Sequence, residues 1–210
     1  MRRRRVREVR TVASRERSGG HWPKGERYPS GVSLLPIRVY GDPVLNEVTT
    51  EVENIDGQIK ALAESMIETM YDAPGVGLAA NQIGVQKRMF VYDQGEGDGA
   101  YVVINPTIVE TEGEWTFHEG CLSVPGLGWD ITRANAVHLT GYDLDGNEID
   151  IQTDEYEGRI FQHEMDHLNG VLLIERLDAD QRREAKILLR EQRALIAAND
   201  PDGPHRLFGD

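Results

Sequence analysis

Cysteine and long apolar runs are both scarce in this chain, and each shortage excludes a class of protein. Cys121 is the single cysteine among 210 residues, so no intramolecular disulfide can form, which favours a reducing cytosol. The longest apolar run is far below the roughly 18 residues that span a bilayer, so the sequence predicts no membrane segment. A lone thiol is then core filler, a nucleophile or a metal ligand.

Positive charge is also scarce outside the first 31 residues. The formal net charge of the chain is −13. Residues 1–31 contain nine Arg and one Lys against three Glu, a net charge of +7, and subtracting this from −13 leaves −20 for the remainder. An acidic body argues against a general nucleic-acid binder, and we expect no specific DNA binding.

Composition divides the chain into three segments. Residues 1–33 are Arg-rich without apolar periodicity, which predicts a disordered extension. No apolar stretch follows the arginines, which excludes a secretory signal, and Glu8, Glu16 and Glu26 argue against a transit peptide. A solvated tail, or sequence upstream of the true start, is the simpler interpretation. Residues 34–198 are expected to form one folded domain, and the Pro-, Gly- and Asp-rich residues 199–210 a flexible tail.

Periodicity and turn signals indicate both helices and strands. Apolar residues recur at helical spacing in three segments: 57–71, 155–168 and 179–198. Asp56 is expected to cap the first helix. Four segments read as strands: 88–93, 101–105, 136–143 and 148–153, the last two forming a hairpin around Asp145-Gly146. Four apolar residues of the last helix are expected to face inward: Ile187, Leu188, Ala194 and Leu195.

The second predicted helix contains the sequence His-Glu-Met-Asp-His at 163–167. At 3.6 residues per turn, His163 and His167 lie one turn apart on one face, where two imidazoles can bind one divalent metal. Glu164 lies close enough to that face to handle protons on a water at the metal. Two hydrogen-bonded core histidines are the alternative interpretation.

The remainder of this helix predicts a central, buried position. Apolar residues and the two histidines cover more than half of its circumference and leave Arg159, Gln162 and Asp166 on the polar side. Burying two histidines and a glutamate is costly unless something pairs with them, and a metal would do so. The predicted fold class is therefore α+β: one domain of mostly antiparallel strands around a central metal-binding helix, with an N-terminal and a C-terminal helix.

A catalytic site of the zinc type needs a third protein ligand and an open position. At metzincin spacing the third ligand would be Leu173, which cannot bind a metal. Glu184 and Glu191 are downstream carboxylates of the kind that thermolysin-like enzymes use, but they lie among Arg and Lys on a predicted solvated face. Cys121 remains, with a buried structural cysteine as its alternative.

Three motifs, in order, resemble the signature motifs of the peptide deformylase family. They are Gly75-x-Gly77-x-Ala79-Ala80-x-Gln82, Glu119-Gly120-Cys121-x-Ser123 and Gln162-His163-Glu164-x-Asp166-His167. The segment Gly41-Asp42-Pro43-Val44-Leu45 is similar to that family's N-terminal segment as well. The resemblance covers about residues 35–178, which makes 34–198 the expected catalytic domain.

The resemblance implies hydrolysis of the N-formyl group from nascent formyl-methionyl peptides, with release of formate. The family pattern assigns the metal to Cys121, His163 and His167, physiologically as Fe(II), with Zn(II) able to substitute. A soft thiolate ligand is compatible with iron. The resemblance also implies Glu164 as general base and acid. The Gln82 amide and the Leu122 backbone N–H are the implied donors to the developing oxyanion.

Further implied roles concern the substrate and the support of the ligands. Substrate contacts are implied for Val76, Gly77, Leu78 and Glu119, since an extended Gly-x-Gly edge can pair with a peptide backbone. Asp166 and Glu119 are expected to orient a ligand imidazole and to brace the cysteine loop. A solvent-facing carboxylate is the alternative for Asp166. The implied partners are nascent peptides and, transiently, the ribosome. The implied location is the cytoplasm, and no membrane association is expected.

Two other hypotheses make different predictions. A zinc metallopeptidase with the same histidines would use a downstream glutamate and leave Cys121 dispensable. A binding protein without activity would lack a catalytic group, whereas the three ligands, Glu164 and Gln82 are all present in the sequence.

Overall fold

The computed structural model describes residues 33–97 and 99–199, with side chains to residue 195. The predictions of a disordered extension and a flexible tail therefore fall almost entirely outside the described residues. Three α-helices are present in these ranges: α1 (Gly57–Asp72), α2 (Glu155–Leu168) and α3 (Ala179–Asn199). None of them combines the length and the apolar character that crossing a membrane requires.

Seven strands form two antiparallel sheets in the described part of the chain. The strands are β1 (Gly77–Ala79), β2 (Met89–Tyr92), β3 (Tyr101–Glu112), β4 (Trp115–Cys121), β5 (Val124–Arg133), β6 (Ala136–Tyr142) and β7 (Glu148–Asp154). One sheet has the order β1-β2-β3-β6-β7, and β4 pairs with β5 in a separate two-stranded sheet. The predicted α+β class with mostly antiparallel strands is confirmed.

The predicted cap and hairpin are both confirmed. The Asp56 side chain accepts the backbone N–H groups of Gln58 and Ile59, which begins α1 where the sequence predicted it. At the hairpin of β6 and β7, the Asp143 carboxylate accepts the backbone N–H groups of Asp145 and Asn147 and closes the turn.

The strand predictions were incomplete. β3 continues to Glu112, beyond the predicted end at 105, and β4 and β5 were not predicted. β1 was expected only as an extended Gly-x-Gly edge. The second half of β3 is largely exposed and its pairing with β6 shifts register, so it lacks the alternation that marks a half-buried strand. Glycines at 120, 126 and 128 gave the β4–β5 region the appearance of a loop.

α2 has the predicted bounds and is more enclosed than the sequence indicated. Its apolar side, including Phe161 and Leu168, packs in one cluster with Phe90 and Leu139 of the five-stranded sheet. The predicted polar side is buried as well, since Arg159 and Asp166 are shielded from solvent and form ion pairs. The helix is therefore held between the two sheets.

The prediction for α3 was correct in its bounds and wrong in its buried side. Ile187, Leu188 and Leu195 are 50%, 39% and 65% exposed, and Ala194 is exposed too. Ala185 and Leu189 are the buried residues, in a cluster with Val124 and Ile131 of β5. The helix lies at the edge of the domain and contacts it through one narrow stripe, so its other apolar residues stay at the surface.

Candidate metal and catalytic site

The structure brings the three candidate metal ligands together. The ligand atoms of Cys121, His163 and His167 all lie within 4.8 Å of one another. Cys121 ends β4, and its Sγ lies 3.1 Å from Nε2 of His167. The two histidines occupy successive turns of α2, with ring centroids 5.1 Å apart. One thiolate and two imidazoles suit a borderline or soft divalent metal such as Zn(II) or Fe(II).

Glu119 orients the first of these imidazoles. Its Oε2 lies 3.0 Å from Nδ1 of His163, which leaves Nε2 of that ring to face the site. Burial alone would raise the pKa of the Glu119 carboxyl, but hydrogen bonds from His163 and Arg133, and their charges, lower the pKa to about 2. Glu119 is therefore an anion. Arginines and His163 occupy its oxygens, so the substrate contact expected of it is not one its carboxylate is free to make.

The Asp166 carboxylate binds arginines and not the ligand imidazole that it was expected to orient. Its carboxylate accepts Nη1–H of Arg133 at 2.7 Å and Nε–H of Arg176 at 2.9 Å, rather than an imidazole N–H. The alternative of a solvent-facing carboxylate is also wrong, because Asp166 is buried. Since Arg133 in turn binds Glu119, Asp166 supports His163 only through two intervening side chains.

Two arginines complete this ionic cluster, and sequence reasoning assigned a role to neither. Arg133 donates to both oxygens of Glu119, from Nε at 2.7 Å and from Nη2 at 2.9 Å. Arg159 donates from Nη1 to Glu119 Oε1 at 2.5 Å and stacks over the Trp115 ring, 4.7 Å from its centroid. The available signal was the position of Arg159, one helical turn before His163 on a mostly apolar helix.

Glu164 directly follows the candidate ligand His163 and has a buried carboxyl group. It is 3% exposed, and its Oε2 has no hydrogen-bond partner among the described residues. Burial raises the pKa of this carboxyl to about 7. The side chain packs directly against Gly77, where any Cβ would overlap the carboxylate. The absence of a side chain at Gly77 thus makes room for the Glu164 carboxylate.

Gln82 and Leu122 both lie next to the cysteine. Gln82 belongs to a 3-10 helix, Ala80–Ile83, and its Oε1 accepts the Ala79 backbone N–H at 2.8 Å. This bond fixes the amide so that Nε2 faces Ser123 Oγ at 3.2 Å and Cys121 Sγ at 3.9 Å. Leu122 follows Cys121 in the chain and lines the same cavity.

A cavity of about 400 Å³ opens onto these residues. Cys121, His163 and Glu164 line it, and so do Val76 and Gly77. Leu78 does not fit the expected substrate contact, because its side chain is fully buried in the core beneath α1. Successive residues of a strand face opposite sides, so β1 directs Gly77 and Leu78 in opposite directions.

The alternative ligands lie elsewhere. Glu184 and Glu191 are exposed on α3, and Leu173 is buried in the core. None of the three belongs to the group of ligand atoms around Cys121. The downstream carboxylate that a thermolysin-like site needs is therefore not supplied by either glutamate.

Comparison with known proteins gives one consistent family. The sequence model described as polypeptide deformylase matches residues 34–183. The peptide deformylase of Halothermothrix orenii is 48% identical over 144 residues, which cover 69% of this chain and 94% of that protein. A crystal structure of a peptide deformylase from Legionella pneumophila superimposes with a TM-score of 0.75 at 37% identity, covering 82% of this chain and all of that one. The peptide deformylase of Ehrlichia chaffeensis, solved in complex with actinonin, has a TM-score of 0.72 at 37% identity, covering 76% and 98% of the two chains.

Proposed function

The chain belongs to the polypeptide deformylase family, and from this premise we propose that it hydrolyses the formyl group from N-terminal formyl-methionine of nascent peptides. The products are formate and a free α-amino group. One observation carries the proposal: the ligand atoms of Cys121, His163 and His167 lie close together, and Cys121 and His163 line one cavity with Glu164 and Gln82. The catalytic domain is proposed to span 34–198, and the family match over 34–183 supports this.

A divalent metal fits the residues that would hold it. Cys121, His163 and His167 supply one sulfur and two nitrogens, the donor types of catalytic sites that keep an open position. When bound, the metal supplies Lewis-acid activation, which makes a nucleophilic water available near neutral pH. We propose Fe(II) as the physiological ion and Zn(II) as a substitute, since the soft thiolate suits both.

Glu164 is the proposed general base and acid. Burial raises its pKa to about 7, so the carboxyl can both accept and return a proton near neutral pH. It takes a proton from the attacking water and later donates one to the leaving amine. Its Oε2 has no partner among the residues that the structure describes, which leaves an oxygen available for that exchange.

Gln82 and Leu122 are the proposed donors to the formyl oxygen. Negative charge develops on this oxygen as water attacks the formyl carbon, and donors held in place beforehand stabilise that charge. The Gln82 amide is held by the Ala79 N–H, so its Nε2 hydrogens are directed toward the cysteine side of the cavity. The Leu122 backbone N–H acts from the residue next to Cys121.

The free edge of β1 is the proposed binding surface for the peptide backbone. The Asp93 N–H donates to the Val76 carbonyl at 3.0 Å. In an antiparallel ladder such bonds alternate, so the backbone groups of Gly77 point away from β2. A peptide paired there would be recognised by its main chain, which predicts tolerance for different residues after the methionine. We propose that actinonin, bound by the Ehrlichia relative, occupies this cavity too.

The proposed partners and location follow from the substrate. A nascent peptide is reached at the ribosome, so we propose transient ribosome contact in the cytoplasm. The charge of −20 outside residues 1–31 supports the absence of specific DNA binding.

Formate release from formyl-Met-Ala-Ser tests the function directly. The protein is purified without oxygen, since a metal-bound thiolate is open to oxidation. We expect release by the parent and a loss of about 10²–10⁴-fold in kcat for Glu164→Ala with metal retained. A metal-loaded parent that releases no formate would exclude deformylation, and cleavage of internal peptide bonds would then be measured.

A further inference from the structure

One wall of the candidate active-site cavity is a short segment of β5, residues 125–127, which we call the wall segment. The antiparallel pairing with β4 passes directly from Gly120 opposite Gly128 to Cys121 opposite Val124, so no described residue of β4 lies opposite the wall segment. All three of its residues line the cavity, as Cys121 does. A bulge of this kind interrupts the ladder, so the wall segment needs support from another element.

Gln192 of α3 supplies a hydrogen bond to the wall segment. Its Nε2 donates to the Pro125 carbonyl oxygen at 2.8 Å. The backbone turns at Gly126, whose φ is +73°. A Cβ added to Gly126 would lie 3.7 Å from the same Nε2, so the amide of Gln192 lies over this turn. A side chain from α3 therefore satisfies a carbonyl group in the part of β5 that β4 does not pair.

The buried stripe of α3 fixes Gln192 in this position. Ala185 and Leu189 pack in one cluster with Val124, and Leu127 of the wall segment packs against that cluster. Positions 185, 189 and 192 are separated by four and three residues, so they lie on one face of the helix. Gln192 is partly buried and extends this face from the apolar cluster to the edge of the cavity.

We propose that Gln192 is a positioning residue for substrate binding, which acts through the Pro125 carbonyl to hold the wall segment in place. This inference rests on the proposed function, because it takes the cavity as the site of the formylated peptide. A wall that is ordered before the peptide arrives lowers the cost of binding. Since the bond is present both before and during the reaction, its loss should weaken substrate binding and leave the chemical step unchanged.

Two substitutions on the same helix form a matched pair. Gln192→Met keeps an unbranched side chain with a similar helix propensity and removes the donor. Gln181→Met makes the same change at an exposed position near the start of α3. Formate release from formyl-Met-Ala-Ser is measured with each metal-loaded protein. We expect KM to rise about 2–10-fold for Gln192→Met, the effect of one hydrogen bond, with kcat unchanged. Gln181→Met should keep both parent values.

Backbone hydrogen exchange supplies a second readout that needs no catalysis. The N–H groups of Gly126 and Leu127 should exchange faster in Gln192→Met than in the parent, because the wall segment opens more often, whereas that of Ile131 further along β5 should not change. An unchanged KM, a fall in kcat alone or unchanged exchange at the wall segment would overturn this inference and leave the proposed function intact. A metal-loaded parent that releases no formate would instead exclude the proposed function, and with it the role of Gln192 in peptide binding.

Discussion

The two sheets hold the central helix by different means. Against the five-stranded sheet, α2 packs apolar side chains, with Phe161 buried among Phe90, Tyr92 and Leu139. Against the two-stranded sheet, it is held by buried ion pairs, from Arg159 to Glu119 and from Asp166 to Arg133. The apolar side fixes where the helix lies. The ionic side connects the helix that carries two candidate ligands to the strand that carries the third.

This difference predicts which substitutions affect the metal and which affect only folding. The largest effect is expected for Glu119→Ala, on the ionic side. The change leaves two buried arginines without their shared anion, which costs about 3–5 kcal/mol of unfolding free energy. Because His163 also loses its acceptor, the metal dissociation constant should rise about 10–100-fold. Urea unfolding and metal titration measure the two effects, and unchanged metal affinity in a folded variant would contradict the ionic-side role.

A cavity-forming substitution on the apolar side should lower stability without changing metal affinity. Leu139→Ala removes a fully buried side chain from the cluster beneath α2, at an expected cost of about 2–5 kcal/mol. Leu139 belongs to the apolar cluster between α2 and the five-stranded sheet, so metal affinity should remain at the parent value below the unfolding transition. A rise in the dissociation constant comparable to that of Glu119→Ala would show that the two sides are not independent.

The buried stripe of α3 gives a comparison within one helix. Leu189 is 2% exposed and Leu195 is 65% exposed. Leu189→Ala should therefore cost about 2–5 kcal/mol, whereas Leu195→Ala should change stability by no more than about 0.5 kcal/mol. Thermal and urea unfolding of the two variants measures this difference. A larger loss of stability for Leu195→Ala than for Leu189→Ala would contradict the buried side seen in the structure and support the side assigned from the sequence.

The smallest effect on the ionic side is expected at its outer end. The Arg176 side chain is 47% exposed where it pairs with Asp166, so solvent screens much of that interaction. Arg176→Ala should cost about 0–1 kcal/mol, decreasing with added salt, because Asp166 keeps its bond to Arg133. A loss of stability as large as that of Glu119→Ala would mean that the cluster acts as one unit.

Local signals were sufficient for some elements and insufficient for others. Asp56 marks the start of α1, and Asp145-Gly146 marks the hairpin, because caps and turns depend on neighbours within a few residues. β4 and β5 were missed because their glycines and exposed positions hide a strand that is held by its partner. The inward side of α3 was assigned wrongly because a helix at the domain edge buries less than its apolar residues would allow.

The residues of the candidate site could likewise be predicted only in part from local sequence signals. His163 and His167 could be paired from helical spacing alone, but Cys121 could be added to them only through the resemblance of three motifs. Arg133 lies 33 residues from Asp166 and 14 from Glu119, and no periodicity relates them. Leu78 was assigned to the substrate together with Val76 and Gly77, although alternation along a short strand directs it into the core.

The most direct test of the central account is formate release from formyl-Met-Ala-Ser while metal-free protein is titrated with Fe(II) in the absence of oxygen. The account predicts that activity rises with added metal and saturates at one equivalent per chain, and that Cys121→Ala shows neither the saturation nor the activity. Formate release that is independent of metal, or that survives intact in Cys121→Ala, would contradict the assignment of Cys121, His163 and His167 as the catalytic metal site.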